Sequence, residues 1–344
     1  MKLPPDDAEA VRAPHSPLRR AWQSWPGSIA RLAVALLPLW WLSRRIDWGE
    51  VLTRAVALGP GPLALSFLSV MGSITVGAFR WRVMLRAYGA ENPPSALTLF
   101  HHNLVGQYFN VLPSGVAGDA VRGLRVHRSL GGLALSYVVL FVERLAGLLG
   151  LCLIAAAAFA LTPGLLDGLV ARVFELALLA GLGLSAVVLA LPYVLSRRPH
   201  LRALVERVPV AGPLVLRIPP ARSMRGILLA VLLSVLTQGA VVLAIAVLIG
   251  RLAPAATLLV CARITPAIIL FTYIPLTPGG LGQREWAFVT LFGQVGVAAP
   301  AALAASLLYF GVALAVSAVG GLFLLAERVI GVPGEERATP EARP

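Results

Sequence analysis

The sequence predicts an all-α protein: a polytopic transmembrane helix bundle of about 6–8 spans with two re-entrant hairpins. Three observations predict it. Apolar residues make up 58% of the chain and charged residues only 13%; mean hydropathy is +0.82; and the polar residues gather between uncharged runs long enough to cross a hydrocarbon layer about 30 Å thick. Soluble domains carry about a quarter charged residues, so a soluble fold is excluded.

The elements follow in order. Residues 1–28 hold Pro4, Pro5, Pro14 and Pro17 among mixed charges and read as a disordered cytoplasmic tail. The first apolar run, 29–43, is followed by Arg44-Arg45 rather than a small-residue cleavage site, so it is expected to remain as a span. Further segments fall at 62–79, 96–112, 131–160, 173–195, 226–249, 255–275 and 299–326, with a shorter apolar stretch at 286–296. Trp40, Trp41, Trp48 and the run Arg80-Trp81-Arg82 lie at segment edges, where aromatics and snorkelling arginines anchor helices at the interface. Residues 329–344 read as a second disordered tail, leaving a single transmembrane domain over 29–328. Cys152 and Cys261 sit inside apolar segments as small hydrophobes, with no disulfide framework implied.

A formal charge of +13 raises nucleic acid as a partner, but the arginines flank apolar segments or crowd one loop, so no nucleic acid is expected. That loop, 197–225, holds Arg197, Arg198, Arg202, Arg207, Arg217, Arg222 and Arg225 against Glu206, and is expected to be cytoplasmic. The basic stretches 80–95 and 113–130 should share that side, and Glu327-Arg328 after the last span put both termini there too. The localisation that follows is a multi-pass protein of the cytoplasmic membrane. Segment 96–112 then cannot cross, and must enter and return.

Asn103, Gln107 and Asn110 recur at i, i+4 and i+7, stacking three amides on one helical face. Two readings fit: a stripe lining a wet cavity, or hydrogen bonds that only hold helices together. Two glycine-rich breaks share a plan about 164 residues apart: Leu112-Pro-Ser-Gly-Val-Ala-Gly-Asp119 with Arg122, and Leu276-Thr-Pro-Gly-Gly-Leu-Gly-Gln283 with Arg284-Glu285. Pro113, Gly115 and Gly118 in the first, and Pro278, Gly279, Gly280 and Gly282 in the second, end one helix and open the next. Free backbone N–H groups beside an arginine suit a phosphate; ordinary surface loops are the plainer alternative. The pairing suggests an inverted repeat, with the second hairpin, 255–296, entering from the opposite side.

Glu143, Arg144 and Arg263 lie within apolar segments, where an unpaired charge costs roughly 2.5–3.5 kcal/mol at the bilayer centre, so partners or water are required. Glu143, Gly147 and Gly150 share a face and leave room for close approach to the carboxylate. Adjacent His101 and His102 point apart, so no metal site is expected. Walker, Rossmann, nucleophile-elbow and zinc signatures are missing from the sequence, so neither a cofactor nor an enzymatic activity is expected.

Four pieces carry a family resemblance: Phe79-Arg-Trp-Arg-Val-Met-Leu85, Leu112 through Asp119-Ala-Val-Arg122, Val142-Glu-Arg-Leu145, and Ile274-Pro-Leu-Thr-Pro-Gly-Gly-Leu-Gly-Gln-Arg-Glu285. Over about 30–326 the chain resembles the lysylphosphatidylglycerol synthase transmembrane-region family of flippase-like membrane proteins. Ala117 stands where that family often has glycine, and Gln283 where it often has valine. The resemblance implies a bacterial or archaeal membrane protein that moves a phospholipid or lipid-linked headgroup between leaflets. No aminoacyltransferase domain follows the last predicted span here, so lysyl-lipid synthesis is not expected. Under that reading Asp119, Arg122, Arg284 and Glu285 flank two opposed hairpins, while Glu143, Arg144 and Arg263 form a buried charge network. The arginines hold a phosphate, and the carboxylates balance them or contact a cationic headgroup. The alternative is a non-catalytic subunit that docks a lipid-modifying enzyme or glycosyltransferase through loop 197–225.

Overall fold

The structure is a computed structural model that describes residue 44 and residues 46–110, 117–165, 168–206, 219–274, 277 and 280–330. The expected N-terminal tail, the first span at 29–43 and the C-terminal tail from 331 on, together with Pro113, Gly115, Pro278 and Gly279, lie outside the described residues, while 329 and 330 still belong to the last helix. Among those described, all regular structure is helical. Helix α1 (Trp48–Ala57) is capped by Asp47, whose carboxylate accepts from the amides of Gly49 and Glu50. Helix α2 (Pro60–Ala87) opens with proline in its first turn, where a missing N–H leaves no bond unmade. Then come α3 (Ala96–Asn110), α4 (Ala117–Val126), a 3-10 turn, α5 (Leu133–Leu161), α6 (Gly168–Arg197) and α7 (Pro199–Glu206). Helices α8 (Met224–Leu252), α9 (Leu258–Thr272), α10 (Gln283–Gly293) and α11 (Ala299–Ile330) complete the order.

Five of these, α2, α5, α6, α8 and α11, are long and apolar enough to cross a membrane. The protein is therefore an integral membrane helix bundle. Helix α3, at 15 residues, reaches only about 22 Å, and α4, at 10 residues, about 15 Å, so neither crosses alone. They lie antiparallel: Gly118 of α4 backs onto the Gly106 carbonyl and Asn110 of α3, while the far ends, His101 and Arg125, both meet Glu327. The first hairpin is thus re-entrant, as the charge pattern of its flanks requires. Helices α9 and α10 form its counterpart, with Gln283 donating to the carbonyls of Phe271 and Ile274.

Core packing shows that the hairpins enter from opposite ends. One apolar cluster joins Ala87, Leu99, Val126, Val139 and Ile227, the end of α2, the mouth of the first hairpin and the starts of α5 and α8. Another joins Ile249, Ala256, Val260, Phe292 and Ala301, the end of α8, the mouth of the second hairpin and the start of α11. The two ends of α8 therefore mark the two faces of the bundle. Arg222, whose amide donates to the Ala87 carbonyl, puts the arginine-rich segment on the first hairpin's side.

Span–hairpin–span occurs twice, as α2, α3/α4, α5 and as α8, α9/α10, α11. Each packing contact in one half has its exchanged partner: α2 lies on α8, α5 on α8 as α11 on α2, and α5 on α9 as α11 on α3. At the centre the Ser73 hydroxyl donates to the Thr237 carbonyl at 2.9 Å, between residues 164 apart, the separation at which the motifs repeat. Helix α6 stands outside this plan, its 18-residue apolar core only 11% buried within the protein. One reading of the sequence is corrected here. Arg80-Trp81 does not end a span at the interface, because α2 runs on to Ala87, Trp81 is fully buried and Arg80 turns inward.

Candidate functional site

The site grows from Glu143, midway along α5 and 2% exposed. A lone carboxylate at that depth is untenable, and both its oxygens are bonded: Oε1 accepts from Arg80 of α2 at 2.8 Å and Oε2 from Arg122 of α4 at 2.6 Å. Arg80 continues to the hydroxyls of Ser234 and Thr237 on α8, at 3.3 and 3.2 Å. Arg122 continues to Asp119 at 3.3 Å, and its guanidinium stacks over the Trp81 ring at 4.3 Å. Asp119, third residue of α4 and well placed in a helix's positive first turn, also accepts from Nε of Arg144. The result is one chain of charge, Arg80–Glu143–Arg122–Asp119–Arg144, across α2, α4 and α5.

Glycines make the chain fit. A methyl group on Gly150 would sit 2.7 Å from the Ser234 backbone, so the α5–α8 crossing depends on its absence. Gly147 faces Arg80 and Gln238, as the shared face with Glu143 predicts.

In the second hairpin, Gly280 and Gly282 take φ of +71° and +77°, the left-handed turn that launches α10. Glu285, 1% exposed and again third in its helix, reaches back to accept from the Gly282 amide at 2.7 Å. Its other oxygen accepts from Arg284 and from the Ser306 hydroxyl of α11. Arg284 also lies over the Phe310 ring at 4.7 Å. Beside this group is a cavity of about 350 Å³, walled by Gln238, Thr272, Tyr273, Arg284 and Tyr309 among apolar residues of α8 to α10. Tyr273, half exposed, links the two hairpins: it lies within electrostatic reach of Arg144, Arg80 and Asp119, and of Tyr309 beside Arg284.

The structure brings Asp119, Arg122, Glu143 and Arg144 together and places Arg284 and Glu285 across Tyr273 from them. It does not bring Arg263 in. Arg263 pairs with Glu175 of α6, donates to the Thr162 carbonyl and stacks on Phe159 at 4.1 Å, beside a separate small cavity. The amide stripe also divides: Asn103 is buried near Gly77, Gln107 is exposed, and Asn110 packs on Gly118. Sequence reasoning missed Arg80, Gln238, Tyr273 and Glu175. Arg80 had a signal, an arginine inside a segment that continues apolar beyond it. Among the described residues no group of three or more His, Cys, Asp or Glu side chains is placed to hold a metal.

Fold and site together define an integral membrane bundle with charged groups held between two opposed re-entrant hairpins. The chain belongs to the lysylphosphatidylglycerol synthase TM region family, whose model matches residues 28–321. This makes it a membrane protein related to lipid handling. No curated protein and no solved structure matches the chain.

Proposed function

We propose that the protein moves a polar lipid headgroup, of a phospholipid or a lipid-linked molecule, across the cytoplasmic membrane, with the arginine-rich face cytoplasmic. The observation that carries this reading is that two opposed half-helix hairpins each carry a buried charged group, the two facing each other across Tyr273, which also walls a cavity. A headgroup crossing hydrocarbon needs fixed polar partners at mid-depth, and helices broken there present N-terminal N–H groups and side chains without exposing backbone to lipid. The inverted arrangement of the halves gives each face of the membrane an equivalent route to the centre.

The test is reconstitution into vesicles with fluorescent tail-labelled lipids of several headgroup classes, followed by quenching of the outer leaflet. The expected result is faster loss of the protected half of the signal than in empty vesicles. Exchange no faster than in empty vesicles for every class overturns the proposal.

A further inference from the structure

The charged chain is not neutral. Three guanidinium groups, Arg80, Arg122 and Arg144, face two carboxylates, Glu143 and Asp119. Arg284 and Glu285 balance each other. The tip segments 111–116, 275–276 and 278–279 contain no ionisable side chain, so nothing there restores neutrality. Among the described residues this group therefore carries one positive charge in excess, and its place is identifiable. Arg80 and Arg122 each hold an oxygen of Glu143, whereas Arg144 has only Asp119, which it shares with Arg122. Its bond is made by Nε alone, and 49% of its side chain is accessible, the most open of the five. The terminal nitrogens of that guanidinium have no hydrogen-bond partner among the described residues.

Acceptors in the site are committed in the opposite sense. Both oxygens of Glu143, both of Asp119 and both of Glu285 already receive hydrogen bonds. What remains open is donor capacity at the Arg144 fork, with the side chains of Tyr273, Tyr309 and Gln238 on the wall of the neighbouring cavity. A half-accessible excess cation with free planar donors favours a counter-anion, and a guanidinium fork matches the oxygens of a phosphate.

From this we propose that the site is built for an anionic phosphate ester, with Arg144 as its direct ligand, and that it offers no carboxylate to an ammonium group. This rests on the headgroup-transport reading and narrows its cargo to phosphate heads lacking a compensating cation. It replaces the expectation that the site's carboxylates also receive a cationic headgroup.

Two measurements on the full chain test it. In phosphatidylcholine vesicles, tail-labelled phosphatidic acid and phosphatidylglycerol should exchange about tenfold faster than labelled phosphatidylcholine or a labelled trimethylammonium lipid with the same tails, the scale of one charge-assisted contact. Arg144→Gln should abolish the preference while the purified variant stays monodisperse, and Arg144→Lys should retain part of it. In detergent, calorimetric titration with glycerol phosphate should show saturable binding that Arg144→Gln removes, with glycerol as the blank.

Binding of glycerol phosphate with no lipid exchanging faster than in empty vesicles supports the site and assigns it to a free phosphate ester, and in that case it is transport that fails. Equal acceleration of all lipids, with no Arg144-dependent binding, overturns the anion site and leaves transport standing. Faster movement of the trimethylammonium lipid overturns it outright.

Discussion

Removing the Glu143 carboxylate tests the architecture most directly. Glu143→Gln keeps the shape of the side chain but leaves Arg80 and Arg122 facing a neutral amide, and raises the local excess from one positive charge to two. All three side chains are mostly buried, at 2% for Glu143, 14% for Arg80 and 13% for Arg122, so water screens the loss poorly. Breaking a buried pair by deleting one partner costs about 3–5 kcal/mol, which for a chain of this size lowers Tm by roughly 10 °C. The assay is thermal unfolding in detergent with a thiol-reactive dye, since Cys152 and Cys261 are free and buried and react only as the bundle opens. The double variant Glu143→Gln, Arg80→Gln removes the stranded charge, leaves Ser234 and Thr237 able to bond the new amide, and should recover at least half of the loss. A single variant within 2 °C of the parent, or a double variant worse than the sum of its parts, would refute the reasoning that Glu143 is the anchor of a charge network.

Gly118→Val should separate the legs of the first hairpin, because even a Cβ there would overlap the Gly106 carbonyl; a Tm drop above that of Gly183→Ala, where a Cβ meets nothing within 4 Å, checks it. Arg125→Glu should destabilise by about 1.5–3 kcal/mol, since Arg125 bonds both oxygens of Glu327 at 2.6 and 2.8 Å, and the charge swap Arg125→Glu, Glu327→Arg should restore most of that in the same assay. Arg263→Gln should lower Tm yet leave any lipid exchange selective for headgroup charge, because its partner is Glu175 rather than Glu143; lost selectivity would show that the two charged groups act as one.

The spans were legible because hydrocarbon imposes length. Segments expected at 131–160, 226–249 and 299–326 correspond to α5, α8 and α11 within a few residues. The hairpins were legible by a different argument: two basic stretches on one side forbid a crossing between them. Arg80 was misread because charge at a segment's edge looks like an interfacial anchor, and only its partner, 63 residues away on another helix, shows that it is buried. The Arg263–Glu175 pair was hidden for the same reason, its members being 88 residues apart with no period to connect them. A periodic pattern reports which face of one helix is special, not which faces meet. That is why Glu143, Gly147 and Gly150 were read correctly as one face while the identity of the opposing cation was not.

Helix α6 touches little of the bundle, yet the architecture depends on it. Two similar halves, each crossing the bilayer an even number of times around a turned-back hairpin, would insert in the same sense if joined directly. A single additional crossing between them reverses the second. Excising 168–197 should therefore leave both cores intact as sequences but point both hairpins at the same leaflet, abolishing their encounter at mid-depth without altering any residue of the charged chain. The least-buried of the five long spans is the one that makes the two halves antiparallel.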